Sequence, residues 1–326
     1  MQRARITGTG GFLPETVWTN AKLESMMDTS DEWIRKRTGI GQRHLAGAGE
    51  ASSDMGTPAV RDALANAGVA PEEVELVLCC TTTPDYLFPA TACLIQDRLG
   101  ARNAGAFDVN AACSGFVCGL ATANAYIRSG VYRTVVVVGA ESQTNRLNWT
   151  NRDTAVLFGD GAGAVVLQAE DGDRGILSTF LGSDGAGGDL LIIPAGGSKA
   201  PVTKENAGGP ECDIQMKGAE LFKRATALFE EASTKALELA GLRLEDVDVF
   251  VPHQANARII GAAAKRLGLP DEKVVLNIER VANTTSASIP LALHDAVADG
   301  RVKEGDTVLL ASFGAGLTWG AAVIRW

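Results

Sequence analysis

Phe107-Asp-Val-Asn-Ala-Ala-Cys113-Ser-Gly-Phe-Val-Cys-Gly-Leu120 carries an apolar strand through small residues into a long helix, with Cys113 at the turn. Beyond the turn Phe116, Leu120, Ala123 and Ile127 recur at helical spacing, and Ser114 and Gly115 are small enough to admit another chain or a substrate. A thiol at this point lies on the positive end of the helix, which predicts a pKa below the free value of about 8.5 and a populated thiolate. Free cysteines are also among the most buried residue types, so Cys113 alone does not establish chemistry.

The second half of the chain repeats the first. Glu72-Glu-Val-Glu-Leu-Val77 matches Glu245-Asp-Val-Asp-Val-Phe250, and Thr134–Gly139 matches Thr307–Ser312. Cys113 precedes Gly130 by 17 residues, and Asn283 precedes Gly300 by the same 17. Each half is therefore expected to run strand, helix, strand, long helix, strand, glycine turn and final strand, with boundaries at 1–170 and 171–326. A pseudo-twofold axis would bring the two helix starts together, and His253, after the strand Val247–Val251, falls on the same edge.

At 326 residues the chain suits two domains or one large layered one, and 46% hydrophobic residues, 21% charged residues and 37 glycines fit an α/β protein. A formal charge of −9 argues against nucleic-acid binding. Met1-Gln-Arg-Ala-Arg-Ile lacks the apolar core of a signal peptide, and no apolar run approaches the ~20 residues of a membrane span, so no membrane partner and a cytoplasmic location are expected. The six cysteines form no CxxC pair, which fits reduced thiols better than a disulfide framework or a zinc site.

Along the chain, the patterning predicts a short strand at Arg5–Thr7, a helix from Ser53 to Ala67 stopped by Gly68, and a buried strand at Val74–Cys80. Thr91–Leu99 reads as helix, and Asp31-Glu-Trp33-Ile-Arg35-Lys-Arg37-Thr38 is either a solvated charged face or an anion and nucleotide site. Arg152–Leu167 reads as a glycine-rich turn between apolar strands; without a Walker lysine or a following helix, it is no phosphate loop. Ser183–Pro210 reads as a long surface loop with a short strand at Leu190–Ile193, and an amphipathic helix from Gln215 ends at Gly241.

Ala111-Ala-Cys113-Ser-Gly115, Val251-Pro-His253-Gln-Ala-Asn256, Asn283-Thr-Thr-Ser-Ala-Ser288 and Ser312-Phe-Gly-Ala-Gly-Leu-Thr-Trp319-Gly320 together resemble β-ketoacyl-acyl-carrier-protein synthase III, a resemblance running from Ile6 to Trp326. It implies a thiolase fold, a five-layered αβαβα sandwich of two duplicated halves, usually a homodimer. It also implies the initiating condensation of type II fatty-acid synthesis: an acyl-CoA primer acylates Cys113, and decarboxylated malonyl-acyl carrier protein condenses with it. His253 and Asn283 would stabilise the enolate, and the backbone N–H groups of Cys113 and Ala315 would hold the acyl oxyanion. Ala315 stands where many members carry glycine, so a φ that tolerates a side chain is expected there; Ala282 likewise replaces a common glycine.

The resemblance further implies that Trp33 and Arg152 sandwich the CoA adenine, Arg37 and Thr38 contact the nucleotide, and Asn256 holds the pantetheine arm. Lys223, Arg258 and Lys265 would receive the acidic carrier protein, and Phe88 would gate primer length across the dimer. No metal or redox cofactor is implied. A homologue of polyketide or secondary metabolism with another primer or acceptor, and a cysteine hydrolase using Cys, His and Asn, are the competing readings.

Overall fold

Thr134-Val-Val-Val-Val-Gly-Ala-Glu141 has no polar face until its last residue, and a β-branched run of this kind favours a strand covered on both sides. In the computed structural model, which describes residues 2–326, all eight residues of this strand are buried. Its sheet contains Gln2–Phe12 (β1), Leu76–Cys80 (β2), Gly105–Val109 (β3), Thr134–Glu141 (β4) and Gly161–Asp171 (β5), in the order β1-β5-β4-β2-β3. A second sheet contains Gly175–Ser183 (β6), Val249–Pro252 (β7), Thr307–Gly314 (β8) and Thr318–Arg325 (β9), in the order β6-β9-β8-β7.

Order and direction recur in both sheets. β5 runs antiparallel to β1 and β4 as β9 does to β6 and β8, while the β4–β2 and β8–β7 pairs are parallel. The counterpart of β3 is missing from the second sheet, where a single bridge joins Val274 to Phe250. Pro270 and a tight turn at Asp271–Lys273 lead into that position, and the short helix Ile278–Val281 follows.

Among the described residues seven helices have eight or more residues: Asp31–Thr38 (α1), Ser52–Ala67 (α2), Thr91–Leu99 (α3), Gly115–Arg128 (α4), Gly218–Ala240 (α5), Ala257–Leu267 (α6) and Ser288–Ala298 (α7). The alternation along β4 explains the layers. Val135 and Val137 pack with Phe116 and Leu120 of α4, Leu293 of α7, and Val308 and Leu310 of β8. Val136 and Val138 face the other way, onto Ala59 of α2 and Ile95 of α3. In the second sheet Leu309 and Ala311 turn outward to Phe229 of α5 and Ile260 of α6. The sequence of layers is thus helices, sheet, the α4/α7 pair, sheet and helices.

Two glycines allow this stack to close. A Cβ on Gly139 of β4 would lie 2.4 Å from the Ser286 carbonyl oxygen, and one on Gly163 of β5 would lie 2.7 Å from the Leu291 nitrogen. The glycine-rich segment is therefore not the turn expected from sequence: Arg152–Ala155 is a short helix, and Gly161 and Gly163 lie within β5, where α7 meets the sheet. The strand expected at Arg5–Thr7 is longer, Gln2–Phe12, and the expected Leu190–Ile193 strand is Leu191–Ile192, paired with Gln215–Met216. Among the described residues no helix is long and apolar enough to cross a membrane.

Candidate active site

Cys113 is fixed by both halves. The chain leaves β3 and passes through Ala112 at φ 47° before a tight turn at Ala112–Ser114 opens α4. Positive φ on a residue with a side chain costs free energy and persists only where surrounding contacts enforce it. Those contacts come from the second half: Ser312 Oγ donates to the Cys113 carbonyl at 2.7 Å, and Thr318 Oγ1 donates to the Ala111 carbonyl at 2.9 Å. Gly314 sits so close that a Cβ there would lie 2.7 Å from the Cys113 nitrogen. Ala315 follows without a positive φ, as expected, and its backbone N–H and that of Cys113 favour the ionised sulfur.

The thiol departs from the sequence expectation. Burial pushes Cys113 up to about 12, with the two N–H groups opposing the rise. Desolvation of the charged form therefore outweighs the helix end, and the resting residue is a protonated thiol.

His253 follows β7 and is buried, and burial lowers its pKa to about 3, so the ring is neutral. Its Nδ1 has no hydrogen-bond partner. A proton there would be a buried, unpaired donor, so the favoured tautomer carries it on Nε2. Phe313 packs edge-on against the ring, with centroids 6.4 Å apart. Asn283 is set by its own turn: its Oδ1 accepts the Thr285 N–H at 2.9 Å, which leaves the amide NH2 free as a donor. Ala282 and Thr285, at φ 59° and 50°, flank it in backbone that is costly for residues with a side chain.

Cys113, His253 and Asn283 meet in one cavity of about 540 Å³. Trp33, Arg37, Thr38, Arg152, Asn256, Lys223 and Arg258 line the same cavity. Arg152 lies over the Trp33 ring at 4.4 Å from its centroid and Arg37 at 5.1 Å. An inserted ring needs about 3.5–4 Å on each face, so Arg152 has to swing away before anything can be sandwiched there. The Thr38 hydroxyl is committed within its own helix end, donating to the Ile34 carbonyl and accepting the Ile40 N–H. Asn256 caps α6 through the Arg258 N–H and donates to the Arg37 carbonyl, joining the two sides of the mouth. Lys265 is exposed two turns beyond Arg258 and does not line the cavity.

Cys113 also borders a second cavity of about 490 Å³, walled by Thr82, Gln143, Phe158, Leu191, Ile193 and Ile214 among others. Leu191 and Ile193, half-buried in a loop that is otherwise mostly exposed as expected, thus wall a cavity beside the thiol. Their apolar cluster, isolated among glycines and polar residues, was the available signal. Phe88 reaches neither cavity within its own chain and is 86% exposed, beside Tyr86 and Leu87.

Models of the 3-oxoacyl-[acyl-carrier-protein] synthase III family match residues 107–185 and, for its C-terminal part, 237–326. The chain belongs to this family. It is 52% identical to a β-ketoacyl-[acyl-carrier-protein] synthase III of Symbiobacterium thermophilum, over 98% of this chain and 97% of that one. The 3-oxoacyl-[acyl-carrier-protein] synthase III structure from Aquifex aeolicus superposes with a TM-score of 0.92 at 45% identity, covering 99% of this chain and 100% of that one. The priming β-ketosynthase of the R1128 polyketide pathway superposes with a TM-score of 0.91 at 37% identity, covering 98% and 96%. The fold is the thiolase fold, and the protein is an acyl-transferring enzyme that initiates fatty-acid synthesis by condensation.

Proposed function

We propose that this synthase III takes its primer from an acyl-CoA and its extender from malonyl-acyl carrier protein, with Cys113, His253 and Asn283 as the catalytic residues. The observation that carries the reading is the meeting of these three side chains in a cavity with an aromatic and cationic mouth, next to a second, largely apolar cavity behind the thiol. In the first half-reaction the Cys113 sulfur replaces the CoA sulfur on the acyl carbon, and the thiol proton ends on CoA. The Cys113 and Ala315 N–H groups, which favour negative charge on the sulfur, suit the carbonyl oxygen as it becomes an oxyanion.

In the second half-reaction carbon dioxide leaves the malonyl group and its bonding pair forms an enolate. His253 Nε2–H and the Asn283 amide are two neutral donors suited to that oxygen, each worth roughly 2.7–4 kcal/mol by analogy with other oxyanion holes. The enolate carbon attacks the acyl carbon on Cys113, the C–S bond breaks, and the sulfur is reprotonated from solvent. Trp33, Arg37 and Arg152 suit an adenine nucleotide, Thr38 the cavity wall beneath it, and Asn256 the pantetheine arm. Lys223 and Arg258 at the mouth, with Lys265 farther along α6, suit an acidic carrier protein. The exposed Tyr86-Leu87-Phe88 and the edge strand β3 with its half-exposed Phe107 support a homodimer, in which Phe88 of one protomer reaches the primer cavity of the other. No metal is assigned a step, and the six free thiols suit the cytoplasm.

The test separates the half-reactions. Asn283→Ala is expected to keep transfer of a radiolabelled acyl group from CoA to Cys113 while lowering carbon dioxide release and condensation by about 10²–10³-fold. Equal loss of both steps refutes the assignment, and thioester hydrolysis without carbon dioxide release would instead mark a hydrolase.

A further inference from the structure

Glu141 closes β4, and the reaction above gives it no task. It is completely buried, and none of the groups acting most strongly on it is a cation. Donors surround it instead. Its Oε2 accepts from Thr82 Oγ1 and Thr83 Oγ1, both at 2.9 Å, from the Thr82 N–H at 3.1 Å and from Gln143 Nε2 at 3.2 Å. Its Oε1 lies 2.8 Å from Ser286 Oγ, and Ser286 Oγ lies 2.6 Å from the Cys80 carbonyl oxygen.

Both of these oxygen–oxygen distances are hydrogen-bond lengths, and each bond needs a proton. The Cys80 carbonyl has none to give and the Ser286 hydroxyl has one. The second must come from the carboxyl group. We propose that Glu141 is held as a neutral carboxylic acid, its Oε1–H donating to Ser286 Oγ while Ser286 donates to the Cys80 carbonyl, and that this relay is a positioning device locking the Asn283 turn to the Thr81–Thr83 loop. The relay joins the two halves: Ser286 follows Asn283 by three residues, and Thr82 and Gln143 wall the second cavity.

Burial without a cation raises the Glu141 pKa, outweighing the Ser286, Thr82 and Thr83 donors that act to lower it, in agreement with the proton count. The titratable groups facing it are thiols: Cys79 and Cys80 on β2 and Cys113 at the start of α4, each of which a charged Glu141 would make harder to ionise. The role in positioning rests on the proposed reaction, in which negative charge develops at Cys113 and beside Asn283. A neutral acid holds the turn without opposing that charge. The protonation does not depend on that reading.

Glu141→Gln keeps a donor and an acceptor in the same plane, and Glu141→Ala removes both. Infrared difference spectra of wild type against Glu141→Gln at neutral pH should show the carbonyl stretch of a protonated carboxylic acid, shifted in D2O. As pH rises from the ordinary carboxyl value of 4.5, the unfolded state ionises first, so wild type should lose thermal stability relative to Glu141→Gln. Absence of the band, or a stability difference independent of pH, overturns the protonation. Condensation should be rescued in Glu141→Gln and fall on the order of 10²-fold in Glu141→Ala, the size expected for a misplaced reacting group. Equal impairment in the two variants, or wild-type condensation in Glu141→Ala, overturns the positioning role. Should Glu141→Ala not fold, Ser286→Ala breaks the same relay, with loss of condensation and retained Cys113 acylation expected, and unchanged condensation overturning the role. The spectral and stability measurements need no substrate, so their result is independent of whether the proposed reaction holds.

Discussion

Gly139→Ala tests how tightly the two halves are registered at the active site. The glycine does not occupy the left-handed region, so alanine meets no backbone penalty and the effect is purely steric. The new Cβ would lie 2.4 Å from the Ser286 carbonyl oxygen, 2.7 Å from its carbon and 2.9 Å from the Ala287 nitrogen, where ordinary contact begins at 3.4 Å. All three are backbone atoms with no rotamer to give way, so the turn has to retreat by about 1 Å, and overpacking of this kind costs roughly 1–3 kcal/mol. Asn283 opens that turn, and a displacement of about 1 Å at a positioned group costs on the order of 10²-fold in rate. The expected result is a loss of about 1–3 kcal/mol in denaturant unfolding, a condensation rate reduced about 10²-fold, and acylation of Cys113 by acyl-CoA little changed. Gly261→Ala on α6 is the control: nothing lies within 4 Å of its added Cβ, and it should gain about 0.5–1 kcal/mol from helix propensity without altering turnover. Wild-type stability and condensation in Gly139→Ala would refute the registration argument.

Two pH predictions follow from burial. Because Cys113 is pushed up to about 12, its alkylation by iodoacetamide in the resting enzyme should keep accelerating through the alkaline range, and mass spectrometry of the Cys113 peptide would expose a neutral-pH plateau if the thiolate were populated. His253, lowered from 6.5 to about 3, contributes stability that is fully present above pH 6.5 and is lost as pH falls toward 3, because only the unfolded state takes up the proton. The slope is at most about 1.4 kcal/mol per pH unit, and His253→Gln should remove it; an identical acid profile in denaturant unfolding of the two proteins would show that His253 is not buried neutral.

The difference between what was legible in the sequence and what was not follows the physics of each signal. The repeat brought Cys113 and Asn283 to the same edge, although Cys113 lies two residues before α4 and Asn283 five before α7, and hydrophobic period showed β4 and β8 as buried strands, because a layered fold writes its burial directly into residue spacing. Competing energies at one residue leave no such trace. Cys113 has the helix end that lowers a thiol pKa, but the burial that overrides it depends on β8 and β9, roughly two hundred residues away in sequence, as the Ser312 and Thr318 hydrogen bonds record. The glycines at 161 and 163 read as a turn because glycine usually marks one, whereas here the missing side chain of Gly163 makes room for α7 and that of Gly161 for Phe12 and Leu13 at the end of β1. Strain was equally silent. Ala112 and Ala282 each directly precede a proposed catalytic residue, Cys113 and Asn283, and both hold positive φ, a conformation that a glycine would have advertised and an alanine conceals. The geometry that the two halves share lies at Ala112 and Thr285, which at φ 47° and 50° each begin the tight turn leading into α4 or α7. Each half bends sharply just before its functional side chain, and the interlocking contacts between halves hold both bends in place.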